Sequence, residues 1–172
     1  IFWNYLKIKV KNNFQNTINI IFPFSFLILV FLQISIGAFV SGMDAGKIYN
    51  SWPLMGNSIF PNDNSIVNLF KLSAFSDPSL VQFIHRKLAY LIGLFYLYLL
   101  FYIYRNKKTD LYKSVKVLGF FIFLQIVLGV FTLLYGAQIY IASMHQISSI
   151  FLVASCIYFL FINTKSNLQL SN

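Results

Sequence analysis

Four long apolar runs, at residues 18–41, 79–104, 115–135 and 140–162, constrain this chain more than any other feature. Each can form a helix of roughly 20 residues, the length that crosses a bilayer. A helix is also one of the few backbones that satisfies its own hydrogen bonds there. A water-exposed domain could not hide this much apolar surface: 58% of the 172 residues are hydrophobic and only 10% are charged. The abundant Phe and Tyr suit a lipid-facing chain with aromatics at its interfaces. The expected fold is an all-α membrane protein of four transmembrane helices in one bundle, a single unit over residues 1–172. Asp77 and Pro78 read as the cap and first residue of the second helix. Pro23 falls at the start of the first, where a missing N–H is tolerated. The turn "YGAQ" makes the third and fourth helices a tight hairpin. Cys156, the only cysteine, excludes an intrachain disulfide and reads as a small apolar residue inside a helix. No cleavable signal peptide is visible, and a chain that starts at Ile1 rather than Met reads as a fragment or processed product.

The net charge of +9 raises nucleic acid as a partner, but the placement of the charges argues for membrane topology instead. Lys7, Lys9, Lys11, Arg105, Lys107, Lys108, Lys113, Lys116 and Lys165 fall on one side of four spans, with Asp110 the only acid among them. Lys47, Lys71, Arg86 and Lys87 fall on the other side, with Asp44, Asp63 and Asp77. Basic residues mark the inner side. Both termini are therefore expected to be cytoplasmic, or to face the matrix of a mitochondrion, and the loop 42–78 to face outward. The membrane is a bacterial plasma membrane or a mitochondrial inner membrane, with lipid as a direct partner.

The chain also repeats itself. "FLQISIGAF" (31–39) matches "FLQIVLGVF" (123–131), so Gln33 and Gln125, Gly37 and Gly129, and Phe39 and Phe131 are each 92 positions apart. Helices one and three correspond, and so must two and four. The two hairpins are expected to be related by a pseudo-two-fold axis along the membrane normal.

Each helix of the second pair carries one histidine near its outer end, His85 and His145, and the chain has no others. Both are about six residues inside the boundary, roughly 9 Å deep at the helical rise. Ionisable residues inside a span are functional by default. Two imidazoles at matching depth are where paired axial ligands to a haem iron would sit. The competing reading is a hydrogen-bonded intramembrane imidazole pair with no metal. Zinc fits less well, because no further Cys, His or acid is near in sequence. Ala89, Gly93, Ala142, Ser148 and Ser149 leave room for a flat macrocycle. The stripes Gln33-Gly37-Ser41 and Gln125-Gly129 serve either close helix packing or cofactor clearance. Arg86 would pair with a haem propionate, or else snorkel to headgroups, as Lys87 is expected to do. Met144 reads as packing.

The segment "GAFVSGMDAGKIYNSWPLMG" (37–56), Pro61, "VQFIHR" (81–86) and "HQ" (145–146) closely resemble haem A synthase, in its mitochondrial and alphaproteobacterial form without loop cysteine pairs. The resemblance runs from about residue 20 to about 160 and covers the C-terminal half of that eight-helix family. It implies an oxidoreductase of haem A biosynthesis, needed for cytochrome oxidase assembly, that oxidises the haem O methyl group to the formyl group of haem A. It implies haem b held by His85 and His145, with the substrate site in a missing N-terminal half. The implied partners are the haem O substrate, that half, haem O synthase and an electron acceptor. No other histidine is present to supply the second pair, so this chain alone is not expected to complete catalysis. Asp44 is a candidate catalytic proton relay, or else a helix-end residue that fixes the loop. Trp52 and Pro53 are expected to shape that loop as a lid over the haem. Two other functions stay open here: a stand-alone bis-His b-type membrane cytochrome that carries electrons, and a haem-free scaffold.

Overall fold

In a computed structural model, which describes residues 1–9 and 17–167, a short helix precedes four long ones. These are α1 (Phe2–Lys9), α2 (Ile21–Gly42), α3 (Pro78–Arg105), α4 (Tyr112–Leu134) and α5 (Ile139–Asn167). The four long helices are each long and apolar enough to cross a membrane, as the apolar runs predict. Among the described residues there is no β-strand; Met55 and Ser58 form one isolated bridge. Lys11 lies outside the described residues, as does the side chain of Lys165.

Local chemistry explains where the helices start and stop. A carboxylate oxygen of Asp77 accepts the Leu80 N–H at 3.0 Å, and Pro78 opens α3 where no N–H is needed. At the other end Lys107 turns left-handed (φ 50°) and the Lys108 N–H reaches back to the Ile103 carbonyl at 2.9 Å. That bond satisfies one of the carbonyls left over at the helix end. The hairpin between α4 and α5 is made by two left-handed residues, Gly136 (φ 64°) and Ala137 (φ 57°). The Ala137 N–H closes it on the Thr132 carbonyl at 2.8 Å.

Helices α2 and α3 pack as one hairpin, and α4 and α5 as another. Contacts of α2 with α5 and of α3 with α4 close the ring, which leaves α3 and α5 on a diagonal. The largest buried cluster lies in the inner half, toward the termini: Phe26 and Val30 of α2, Leu99 and Ile103 of α3, Val115 and Leu118 of α4, Cys156 and Phe159 of α5; a smaller buried set, Leu80 and Val81 of α3 with Ala45, Met55 and Ala74, lies at the outer end. In the outer halves of α2, α4 and α5, from residues 31, 123 and 139 onward to the outer ends or inward to 147, no side chain is fully buried.

Helix α1 has no signal in the apolar pattern. It is held by tertiary contact: Leu6 is buried, and the Trp3 ring meets Phe161 edge-on with centroids 5.0 Å apart. Nearby, the fully buried Asn163 accepts the Ile18 N–H at 2.9 Å and donates to the Ile18 carbonyl at 3.0 Å. This pair ties the segment before α2 to the end of α5. Asn163→Ala strands both backbone groups and is expected to cost about 2–4 kcal/mol. Thermal unfolding of the purified protein in detergent would read this as a lowered midpoint.

Candidate functional site

The histidines lie where the sequence places them. His85 is seven residues past Pro78 in α3, and His145 is six past Ile139 in α5. Each faces its hairpin partner in the same way. A Cβ built on Gly37 of α2 would lie 3.1 Å from Cε1 of His85; one built on Gly129 of α4 would lie 3.1 Å from Cε1 of His145. Each ring therefore rests against a bare glycine. These two glycines make room for the imidazoles themselves, a more specific role than either general packing or cofactor clearance. Gly93, two turns on from His85, is different: a Cβ there would meet nothing within 4 Å.

The glutamines of the repeat also act in parallel. Gln33 Nε2 donates to the His85 carbonyl and Gln125 Nε2 to the His145 carbonyl, both at 3.1 Å. Ser148, one turn past His145, donates to the same carbonyl at 2.9 Å and accepts from Gln125 at 2.6 Å. The Nδ1 atoms of both histidines are buried without a partner. A buried polar atom without a partner is costly and calls for an explanation. Two imidazoles on diagonal helices, in the loosely packed half of the bundle, are a donor set that fits haem. The porphyrin supplies four nitrogens and the protein need supply only two. Zinc asks for three or four protein ligands, and no cluster of three or more His, Cys, Asp or Glu exists among the described residues.

Above the histidines, α3 holds the outer loop. Arg86 is buried and donates to the Tyr49 carbonyl at 2.8 Å, the Ser51 carbonyl at 2.9 Å and the Leu54 carbonyl at 3.2 Å. Gln82 adds a bond to Tyr49 O at 3.1 Å. The guanidinium thus organises the loop, a role absent from the sequence reading; its Nε remains buried and unpartnered. The loop is tied down elsewhere as well. Asn50 donates to the Leu133 carbonyl of α4 at 2.9 Å. Asp63 accepts from Ser79 at 2.5 Å and from Tyr49 at 2.9 Å. The Ser79 bond leads in holding the Asp63 carboxyl below the usual carboxylate range, while partial desolvation pushes the Tyr49 phenol up.

Other candidates sit apart from the histidines. Asp44 ends α2 in a left-handed conformation (φ 51°), and its carboxylate pairs with Lys47 at 2.7 Å on the surface. That is a helix-end position. Lys87 lies over the rings of Phe83 and Tyr90, at 5.0 and 5.4 Å. Trp52 is half-exposed in the loop that Arg86 holds. Cys156 is buried in the inner core, a small apolar residue as expected. Met55, in the same loop as Trp52, is also buried.

The sequence profile of a family described as cytochrome oxidase assembly protein matches residues 1–157. Among curated proteins, the chain is similar to a haem A synthase of Pelagibacter ubique, 45% identical over 97% of this chain and 48% of that protein. A haem A synthase of Wolbachia pipientis is 39% identical over 90% of this chain and 41% of its own length. One of Rickettsia africae is 38% identical over 80% and 41% respectively. The chain therefore spans about half the length of the curated relatives it matches. No solved structure matches it.

Proposed function

The chain belongs to the cytochrome oxidase assembly protein family, and on that premise we propose that it is the haem b-carrying half of a haem A synthase. The observation that carries this reading is the matched pair His85 and His145. Each is set against a glycine and has an unpartnered ring nitrogen, and the two stand on diagonal helices. In this reading His85 and His145 would hold the haem, and the hairpins α2–α3 and α4–α5 would be related by a pseudo-two-fold axis. When bound, the haem would supply a one-electron redox centre suited to passing electrons.

The protein's own residues then have separable tasks. His85 and His145 fix the metal. Gly37 and Gly129 let the rings approach the neighbouring helix closely. Arg86 holds the loop 49–54 over the outer end, and its free Nε is what remains to meet a propionate. The loop, pinned also to α4 through Asn50, limits access of water from the outer side. Oxidation of the haem O methyl group belongs to the other half of the full-length protein, with haem O synthase and an electron acceptor as partners. The setting is an alphaproteobacterial-type plasma membrane or a mitochondrial inner membrane, with both termini inside. The alternative, a stand-alone b-type cytochrome, draws on the fact that this chain alone contains both histidines.

The test is an absorption spectrum of the protein purified after expression with ample haem. A six-coordinate low-spin b-type spectrum is expected, and the absence of a Soret band would overturn both readings. Joining the chain to the preceding half and assaying haem A formation from haem O separates them: no haem A from a protein loaded with haem in both halves leaves only the carrier.

A further inference from the structure

We infer that the seam between α3 and α4, at the end of the bundle that holds the termini, is a groove for one anionic phospholipid, with an acyl chain between the two helices and the phosphate on Lys116. Of the four seams in the ring, this one is the loosest. The α2–α5 seam is closed at the same end by the segment before α2, through Asn163 and Ile18. Between α3 and α4 a groove of about 800 Å³ is left instead. Its floor is a small residue under a large one. Gly119 of α4 lacks the Cβ that would collide with the Tyr96 hydroxyl, and Tyr96 donates to the Val115 carbonyl at 3.3 Å. The walls rise from the two helices with the same spacing: Leu97, Phe101 and Tyr104 on α3, and Lys116, Phe120 and Phe123 on α4. Positions i, i+4 and i+7 share one face of a helix, so each row is a ridge roughly 10 Å long. Leu97, Phe101, Phe120 and Phe123 are all more than half exposed, and they flank the path of a hydrocarbon chain.

The rim of the groove is charged at one end. There Tyr104 is held by stacking on Tyr112, with ring centroids 4.4 Å apart, and Lys116 stands one turn into α4. A phenol and an ammonium at that level are donors for a phosphate. Residues 105–116 carry five cations, Arg105, Lys107, Lys108, Lys113 and Lys116, against one acid, Asp110. Among the described residues no ion pair takes Lys116. Charge therefore selects the occupant. An anionic headgroup is drawn to this rim more strongly than a zwitterionic one, and basic pockets between transmembrane helices bind such headgroups. Snorkelling of Lys116 into bulk headgroups would account for the cation but not for the groove beside it.

The experiment reads the groove with a tryptophan. Phe120→Trp, in a background of Trp3→Phe and Trp52→Phe, is reconstituted in vesicles of phosphatidylcholine and phosphatidylglycerol, with one of the two lipids brominated. At equal mole fraction, brominated phosphatidylglycerol is expected to quench the fluorescence more than brominated phosphatidylcholine. Lys116→Gln is expected to lower that preference about fivefold, the weight of one cation near a charged surface. Ile28→Trp, at a similar depth on the exposed side of α2, is the reference for ordinary lipid contact, and Lys116→Gln should leave its quenching unchanged. Equal quenching by the two lipids in Phe120→Trp, or a preference that survives Lys116→Gln, overturns the inference, because the contact is then with bulk lipid. No quenching by either lipid, in the chain alone or joined to the preceding half, also overturns it, because a second copy or another protein helix then fills the groove. If the tryptophan variants do not assemble, native mass spectrometry of the purified wild type and Lys116→Gln decides. One phosphatidylglycerol kept by wild type and lost from the variant supports the groove; equal retention, or none in either, sinks it.

Discussion

His85→Ala and His145→Ala are each expected to abolish the six-coordinate low-spin spectrum, leaving a weakened or high-spin signal. Changes to residues that merely support a ligand cost about 10–100-fold in metal affinity, so removing a ligand itself should exceed that range. The fold should survive, because the inner core that holds the helices together includes neither histidine. Haem content, spin state and the thermal midpoint in detergent would be measured together. A variant that stays low-spin at full occupancy would show that its histidine is no ligand. Loss of haem together with loss of the folded bundle would instead show that the ring is structural.

The second large effect is expected at Gly37 and Gly129. A Cβ at either would already stand 3.1 Å from an imidazole carbon, and valine adds two more methyl groups on a stiff branch. Overpacking of this kind costs about 1–3 kcal/mol. Here the ring is the part free to move, so most of the effect should appear as a displaced ligand. Gly37→Val and Gly129→Val are expected to lose low-spin haem while the haem-free protein remains folded. Gly119→Val is the control: its Cβ would collide with the Tyr96 hydroxyl of α3, in the inner half. It should lower thermal stability and leave the spectrum of the haem that is retained unchanged. Equal spectral damage from Gly119→Val would remove the argument that the outer glycines serve the ligands.

The parts of this structure that depend on local chemistry were legible in the sequence. Asp77 and Pro78 mark the start of α3 because a carboxylate and a ring nitrogen without hydrogen each solve a problem that arises at that end of any helix. The repeat brought out Gln33 with Gln125 and Gly37 with Gly129, and these pairs make matching contacts to the two histidines. What could not be read was the partner of each group. Arg86 bonds to carbonyls 32 to 37 positions away, and backbone carbonyls look the same at every residue. The sequence therefore offered a propionate or a headgroup for that cation and gave no hint of the loop. The same blindness covers Asn50 on Leu133 and Asn163 on Ile18, the latter pair 145 positions apart. Helix α1 escaped notice for a related reason: Trp3 and Leu6 are explained only by the end of α5, which the chain reaches last. Asp77 and the YGAQ turn show the opposite case, since their partners are close neighbours.

With its largest interlocked cluster near the termini and looser packing along the outer stretches of α2, α4 and α5, the bundle is built like a clothes peg, sprung at one end and slack along its jaws. The jaws hold the two imidazoles. On the haem reading proposed above, loading between the jaws would leave the spring undisturbed. Before loading, amide exchange should be fastest at the tips of the jaws and slowest beside the spring, and capture of the macrocycle should even out the difference.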